Sequence, residues 1–302
     1  MKHIILCLSF FSFTALSLDL KLPAEQRWAT GKGLALGNGG VATVSDLSAL
    51  QVNPANISIN QDYEMSASYL WASYGRDVWR AGVKDSKSSQ IAGAIVYTGF
   101  FEDYEPTTEL SQKGDSAVER RISAAFASKL GKLNVGIGGD YVEAFKANTK
   151  EIQKGVTFNV GLQMNIGKSF AFGASAINLA NKKFENVSPQ AYRAGLSWIA
   201  GGLKVNVDYH QRERTPDENS SYNGLISEKV LSASAVFEYQ KYIEVMGSYG
   251  QSIEKYDDLQ LVGAGIGLKT DYFKLSYMVG WPNFSQKIKE TQSVTASALI
   301  KL

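Results

Sequence analysis

The sequence predicts an all-β protein, a closed antiparallel transmembrane β-barrel of 12 to 14 strands, with 14 favoured. Three observations predict it. Past about residue 60, apolar residues recur with period two almost everywhere. The alternating segments mostly run ten to fourteen residues, longer than the five or six usual in soluble sheets and suited to a tilted bilayer crossing. Their connections alternate between short turns and longer polar loops, as outer-membrane barrels do.

The chain begins with an export signature. Lys2 and His3 precede an apolar run from Ile4 to Leu16, and Ala15 and Ser17 supply small residues before a cut at Ser17/Leu18. A basic start, a short apolar core and a small-residue exit describe a secretory signal peptide over residues 1–17. The run is too short for a spanning helix, which needs about 20 residues.

Cys7, the only cysteine, falls in this run, so the mature chain has no thiol for disulfides or metals. Without Lys2, 30 basic residues face 29 acidic ones, and no basic block offers a surface to nucleic acid. His210 is then the sole histidine, which excludes a His-rich metal centre. No later window is apolar enough for a spanning helix.

Five of the 28 glycines fall between Gly31 and Gly40, which raises a nucleotide-binding reading. The spacing rejects it. Gly31-Lys32 is followed by Gly33 where a P-loop needs Ser or Thr, and Gly31, Gly33 and Gly37 hold one residue too many for a dinucleotide fingerprint. Behind the glycines, Asn53-Pro54-Ala55 reads as a turn, since Asn bonds its own backbone and Pro keeps the preceding residue extended. Small residues suit a backbone threaded through a narrow space.

The alternation marks segments near 62–72, 76–85, 90–101, 118–129, 132–145, 154–165, 168–179, 190–200, 202–213, 228–240, 241–251, 258–269, 271–281 and 291–302. In VTFNVGLQMN, Val156, Phe158, Val160, Leu162 and Met164 share one face while Thr157, Asn159, Gln163 and Asn165 share the other. Aromatics cluster near segment ends, among them Tyr69 and Trp71, and Tyr277 and Trp281, as interfacial girdles require. A secreted soluble sandwich would alternate too, with its apolar face inward, and alternation alone does not tell inside from outside.

The order G-x-G-x-A-L-G-N-G-G-V-A, then D-L-S-A-L-Q-V-N-P-A-N just before the first strand, resembles the FadL-type outer membrane proteins, transporters of long-chain fatty acids and other hydrophobic compounds. The stretch 177–198, INLANKKFENVSPQAYRAGLSW, looks like that of compact porin-like relatives, including subunits of some secretion systems. The resemblance implies an N-terminal hatch over 18–58 folded inside a fourteen-stranded barrel over 59–302. It makes Asn53, Pro54 and Ala55 the turn that obstructs the lumen, with Asp46 touching the wall. It also implies sideways exit of ligand through a gap, for which Gly93 and Gly99 in the third strand are the kink candidates.

Among polar candidates, Asp208 and His210 share one face about 7 Å apart. No nucleophile motif accompanies them, so an ordinary lumenal role outweighs catalysis and no enzyme is expected. Glu119 with Arg121, Lys204 with Asp208, and Glu244 with Lys274 fall on expected lumen faces. They could select solutes, but pairing across the barrel and holding the hatch is the favoured role. No cofactor is implied.

The expected function is passive transport of small hydrophobic molecules, fatty-acid-like, across the outer membrane of a Gram-negative bacterium, with its lipids around the barrel. The second reading is a non-transporting barrel whose loops dock other envelope proteins.

Overall fold

The computed structural model describes residues 30–72, 77–101, 116–146, 151–180, 190–214, 226–253, 260–282 and 291–300. The expected signal peptide over 1–17, the start of the expected hatch at 18–29 and most of the long loops lie outside the described residues.

Among the described residues, fourteen strands follow three short helical turns. The first four are β1 (Tyr63–Ala72), β2 (Asp77–Asp85), β3 (Ile91–Phe101) and β4 (Ser116–Leu130). Next come β5 (Leu133–Lys146), β6 (Glu151–Ile166), β7 (Phe170–Leu179) and β8 (Gln190–Ala200). The last six are β9 (Leu203–Arg214), β10 (Ile226–Tyr239), β11 (Ile243–Ser252), β12 (Gln260–Lys269), β13 (Phe273–Pro282) and β14 (Thr291–Ile300). Each pairs antiparallel with its sequence neighbour, and β1 closes onto β14, so the sheet has no free edge.

The tight turns carry the residues their geometry demands. Gly131, Gly167 and Gly201 sit at φ of 66°, 67° and 57°, a region closed to most side chains. The opposite rim bears the longer connections.

The direction of the alternation is the decisive feature. On β6, Val156 and Phe158 are 52% and 55% exposed, whereas Thr157 and Asn159 between them are 0% and 2% exposed. The same holds on β9, with Val207 outside and Asn206 and Asp208 buried, and on β13, with Leu275 and Tyr277 outside and Ser276 buried. The apolar face points outward, the inverse of a water-soluble barrel.

Exposed aromatics gather towards both rims. Phe170, Trp198, Tyr239, Tyr242 and Tyr272 lie by the short turns, while Trp71, Tyr192 and Tyr249 lie towards the long loops. Tyr272 and Trp281 bracket the length of β13. Their separation is about 30 Å along the strand. At a tilt of about 40° that is roughly 23 Å along the axis, close to the height of an outer-membrane barrel's apolar band.

The interior is occupied by residues 30–60. α1 (Gly31–Ala35) packs on β11 to β14, α2 (Ala49–Val52) reaches β4 and β7, and a 3-10 turn (Pro54–Ser58) packs on β3 to β6. Strands from opposite sides of the barrel therefore enclose the segment. Its Leu36, Val44, Leu50 and Ile57 form one cluster with wall residues Ala92, Ala94, Val96, Ala125, Ala127, Val236, Met246 and Met278. Full burial of a Leu or Ile side chain contributes about 1.5–3 kcal/mol. The lumen face is thus not polar throughout. Where the segment docks, β3, β4 and β10 to β13 turn small or apolar residues inward.

Candidate functional site

The site is the seam between the inner segment and the wall. Thr30 caps α1 by accepting the Gly33 N–H at 2.8 Å. The chain then turns through Gly37, Asn38 and Gly40, all at positive φ. This brings two backbone N–H groups against β9. The carboxylate of Asp208 accepts Gly40 N–H at 2.7 Å and Val41 N–H at 2.9 Å. Beside it, Thr43 donates to Asn206 Oδ1 at 2.8 Å.

The Asn-Pro turn locks the other end. Asn53 is extended, at φ −160° and ψ 106°, as a residue before proline must be. Its Oδ1 accepts Ala55 N–H at 3.1 Å, and its Nδ2 donates to Val41 O within the segment and to Leu162 O on β6, both at 2.9 Å. Asn56 also donates to Val41 O at 2.9 Å. Further wall side chains collect the segment's carbonyls: Ser175 donates to Val52 O, Arg193 to Gln51 O and Lys84 to Ser45 O.

Close approach dictates glycine in the wall. A Cβ on Gly161 of β6 would overlap Asn53 Oδ1, and one on Gly173 of β7 would overlap the Val41 carbonyl. Gly161 is register partner to Gly136, and Gly173 to Gly195, so the dock is a short glycine row across β5 to β8.

Towards the short-turn rim the contacts are ionic. Lys32 of α1 lies 3.0 Å from Glu244 and 3.6 Å from Asp46, and Lys274 donates to Glu244 at 2.7 Å. Burial works against the Lys32 charge, but Glu244 and Asp46 outweigh it and hold its pKa above the ordinary value. Burial likewise opposes the Asp46 carboxylate, and Lys32 and Lys274 prevail, keeping its pKa below the ordinary 3.8.

The sequence candidates sort as follows. Asn53, Pro54 and Ala55 form the turn against β5 and β6. Asp46 bonds within the segment, to Ser48 N–H at 2.9 Å and to Lys32, and the wall acts on it through the charge of Lys274. Glu244 of β11 and Lys274 of β13 bond each other across β12, over Gly267, which has no side chain in the way. Lys204 and Asp208 do not pair. Four positions along a strand separate them by about 13 Å, and the segment's amides occupy the carboxylate.

Asp208 and His210 do not bond directly. His210 is buried with Nε2 3.4 Å from Ser232 Oγ and Nδ1 without a partner among the described residues. Arg121 points inward and donates to Asp140 Oδ2 at 2.5 Å and Asn178 Oδ1 at 2.9 Å. Glu119 sits at a register shift between Val118 and Arg120, and its side chain lies outside the described residues. Gly93 and Gly99 face outward on β3, and both ladders of β3 run through them without a register shift. The other register shift lies between Phe158 and Val160 of β6, opposite β7.

Sequence reasoning missed Lys32, Asp140, Arg193, Asn206 and the glycine row. Period two puts Asp140, Arg193 and Asn206 on the inner face, but Lys32 lies in α1, and nothing local names Gln51 as a partner of Arg193 or Thr43 as a partner of Asn206.

No family profile matches the chain, and no curated protein matches its sequence. Solved structures do match. The CymD monoaromatic hydrocarbon channel superimposes at a TM-score of 0.59 with 10% identity, covering 88% of this chain and 95% of that one. A Pseudomonas aeruginosa FadL homologue gives 0.58 at 10% identity, over 90% and 98%. The Pseudomonas putida toluene transporter TodX gives 0.58 at 11%, over 88% and 95%. At such low identity the likeness carries architecture alone: this chain shares its closed β-barrel fold with these channels.

Proposed function

We propose that the protein is an outer-membrane channel of a Gram-negative bacterium that passes small hydrophobic molecules passively, with residues 18–58 as its hatch. The observation that carries this reading is the outward apolar face of a closed barrel whose interior holds a docked segment. A band of apolar side chains between two aromatic rims suits lipid. A tethered segment held by hydrogen bonds and ion pairs suits a plug that can shift without the barrel unfolding. The cargo named for the structural neighbours, monoaromatic hydrocarbon and toluene, supports a hydrophobic class, extending to fatty-acid-like compounds.

In this mechanism, ligand enters at the long-loop rim, the hatch shifts, and ligand leaves sideways or below. Exit at Gly93 and Gly99 requires β3 to part from ladders that are continuous in this state. Movement is downhill, driven by the ligand's gradient.

The test is uptake of labelled toluene and labelled oleate by cells with and without the gene. Uptake that falls several-fold on deletion and returns on complementation is expected. Unchanged uptake of both, with an envelope protein copurifying stably, would replace the channel with a docking barrel.

A further inference from the structure

Near the long-loop end of β2 to β6, one transverse row on the outer face is charged where the wall below it is apolar. Register links Trp79, Gly99, Arg120, Glu143 and Lys154 in order across these strands. The register shift at Glu119 inserts one residue into β4 and sets Arg120 directly opposite Glu143. The Glu143 carboxylate accepts from Arg120 Nε and from the Tyr141 hydroxyl at 2.8 Å, and lies 3.2 Å from Lys154 Nζ. Its side chain is 5% exposed, whereas those of Arg120 and Lys154 are 49% and 56% exposed. The carboxylate is therefore shielded beneath two cations that face outward. Among the described residues it is the one acid that either cation meets, so the row keeps an excess positive charge.

The row stands at the edge of the apolar band. Two positions nearer the short turns, the next outer row runs through Tyr97, Ile122, Tyr141 and Val156. Every second residue of β6 from Val156 to Ile166 is apolar and exposed. Those ten positions span about 33 Å along the strand, or roughly 25 Å along the axis at a tilt of about 40°, the height of the band itself. Lys154 is the next outer residue beyond it, at the depth of lipid headgroups. Trp79 occupies the same level. A Cβ on Gly99 would overlap its indole, which packs on Tyr97 with ring centroids 4.9 Å apart. Indole rings favour this interfacial depth.

Two exposed cations whose shared acid is already engaged attract an anion. Their strands lie about 10 Å apart, so both long side chains can converge over Glu143. The guanidinium fork binds phosphate oxygens in pairs, and the ammonium adds a point charge. At the long-loop side of a Gram-negative outer membrane the lipid is a phosphorylated glycolipid, which carries that anion at this depth.

We propose that Arg120 and Lys154, spaced by Glu143, bind a phosphate of the outer-leaflet glycolipid, with its acyl chains lying along Ile122, Val156 and Phe158. The site goes beyond the transport reading and rests only on the outer face meeting lipid.

The test is a binding titration of the purified full chain in a non-ionic detergent, read by microscale thermophoresis. The probes are bis-phosphorylated lipid A, dephosphorylated lipid A, phosphatidylglycerol and inorganic phosphate. Expected is lipid A binding that Arg120→Gln with Lys154→Gln weakens at least tenfold and each single change weakens several-fold. Lys168→Gln, at the short-turn rim, should leave it unchanged. Each single change leaves Glu143 one cation, so the single variants carry the test if the double variant gives no heat-modifiable folded band. Removing the phosphates from lipid A should weaken binding as much as the double variant does. Equal lipid A affinity in wild type and the folded variants, or no loss on dephosphorylation, would overturn the proposal. Phosphatidylglycerol or inorganic phosphate bound as tightly as lipid A would overturn the glycolipid as occupant. Because the row faces away from the lumen, toluene uptake by cells carrying the double variant should match wild type, and the site can fail while the channel stands.

Discussion

Asp208, in the middle of β9, holds the backbone N–H groups of both Gly40 and Val41, 168 and 167 residues away in sequence. One wall carboxylate thereby pins the turn of the inner segment. Hydrogen bonds to a charged group contribute about 1.5–3 kcal/mol, so this contact is a principal restraint on the segment. Asp208→Ala is expected to loosen the segment and raise small-solute permeation in a liposome-swelling assay, and Asp208→Asn, which keeps one acceptor, should fall between. Swelling rates identical in all three proteins would mean the segment is held elsewhere.

The Asn-Pro turn is the second restraint. Asn53 ties the segment to itself through Val41 O and to the wall through Leu162 O. Replacing Asn53 and Pro54 together by alanine removes both bonds and the fixed backbone before the 3-10 turn. Single-channel recordings should then show larger or more frequent conductance steps than wild type. An unaltered record would remove the plug role of this turn.

The glycine row is testable by adding one methyl group. Gly161→Ala places that methyl on Asn53 Oδ1, and overpacking of this kind costs about 1–3 kcal/mol. The temperature at which the folded band disappears on a semi-native gel should drop. Gly247 is the control, because its added Cβ meets only the Gly263 carbonyl, at 3.6 Å. Equal shifts for the two variants would argue against the close approach.

Acid should release the short-turn end of the segment. The Asp46 pKa is lowered below 3.8, so the stability it contributes is complete above about pH 4 and is lost as pH falls through the folded value. The Lys32 pKa is raised, so its contribution is complete below 10.5 and persists into strongly alkaline solution. Protease accessibility of residues 30–50 should therefore rise in acid, once pH falls below the ordinary carboxylate value of 3.8. Asp46→Asn should show that raised accessibility already at neutral pH, and a wild-type profile from this variant would sink the assignment.

The outward face makes a prediction of its own. Val160 is 43% exposed midway along β6. An arginine there costs about 2–4 kcal/mol if it faces the bilayer midplane and close to nothing if it faces water. Val160→Arg should lower the yield of folded barrel in reconstituted bilayers, with Asn165→Arg at the end of β6 as a mild control. Equal yields would place the outer face in water.

The strand pattern was legible in the sequence because side-chain alternation is a local property. Segments near 154–165 and 202–213 correspond to β6 and β9 within a few residues, and the tight turns at Gly131, Gly167 and Gly201 announce themselves by composition. Asn53-Pro54-Ala55 was legible as a turn for the same local reasons, an acceptor side chain and a fixed proline. What alternation could not say is which face is inside. Val156 and Thr157 alternate identically in a soluble sandwich and in this barrel, and only closure of β1 on β14 around residues 30–60 sends the valine outward.

The partners were hidden for a related reason. Lys204 and Asp208 share a face, which suggested a pair, but strand rise keeps them apart while folding brings Gly40 and Val41 to the carboxylate. Similarly, nothing in the sequence explains Gly161 and Gly173 until Asn53 and Val41 are seen lying against them. Sequence by itself determined the periodicity, the turns and which residues share a face. The tertiary structure decided the direction of those faces and every contact of the inner segment, because both depend on register and closure summed around fourteen strands.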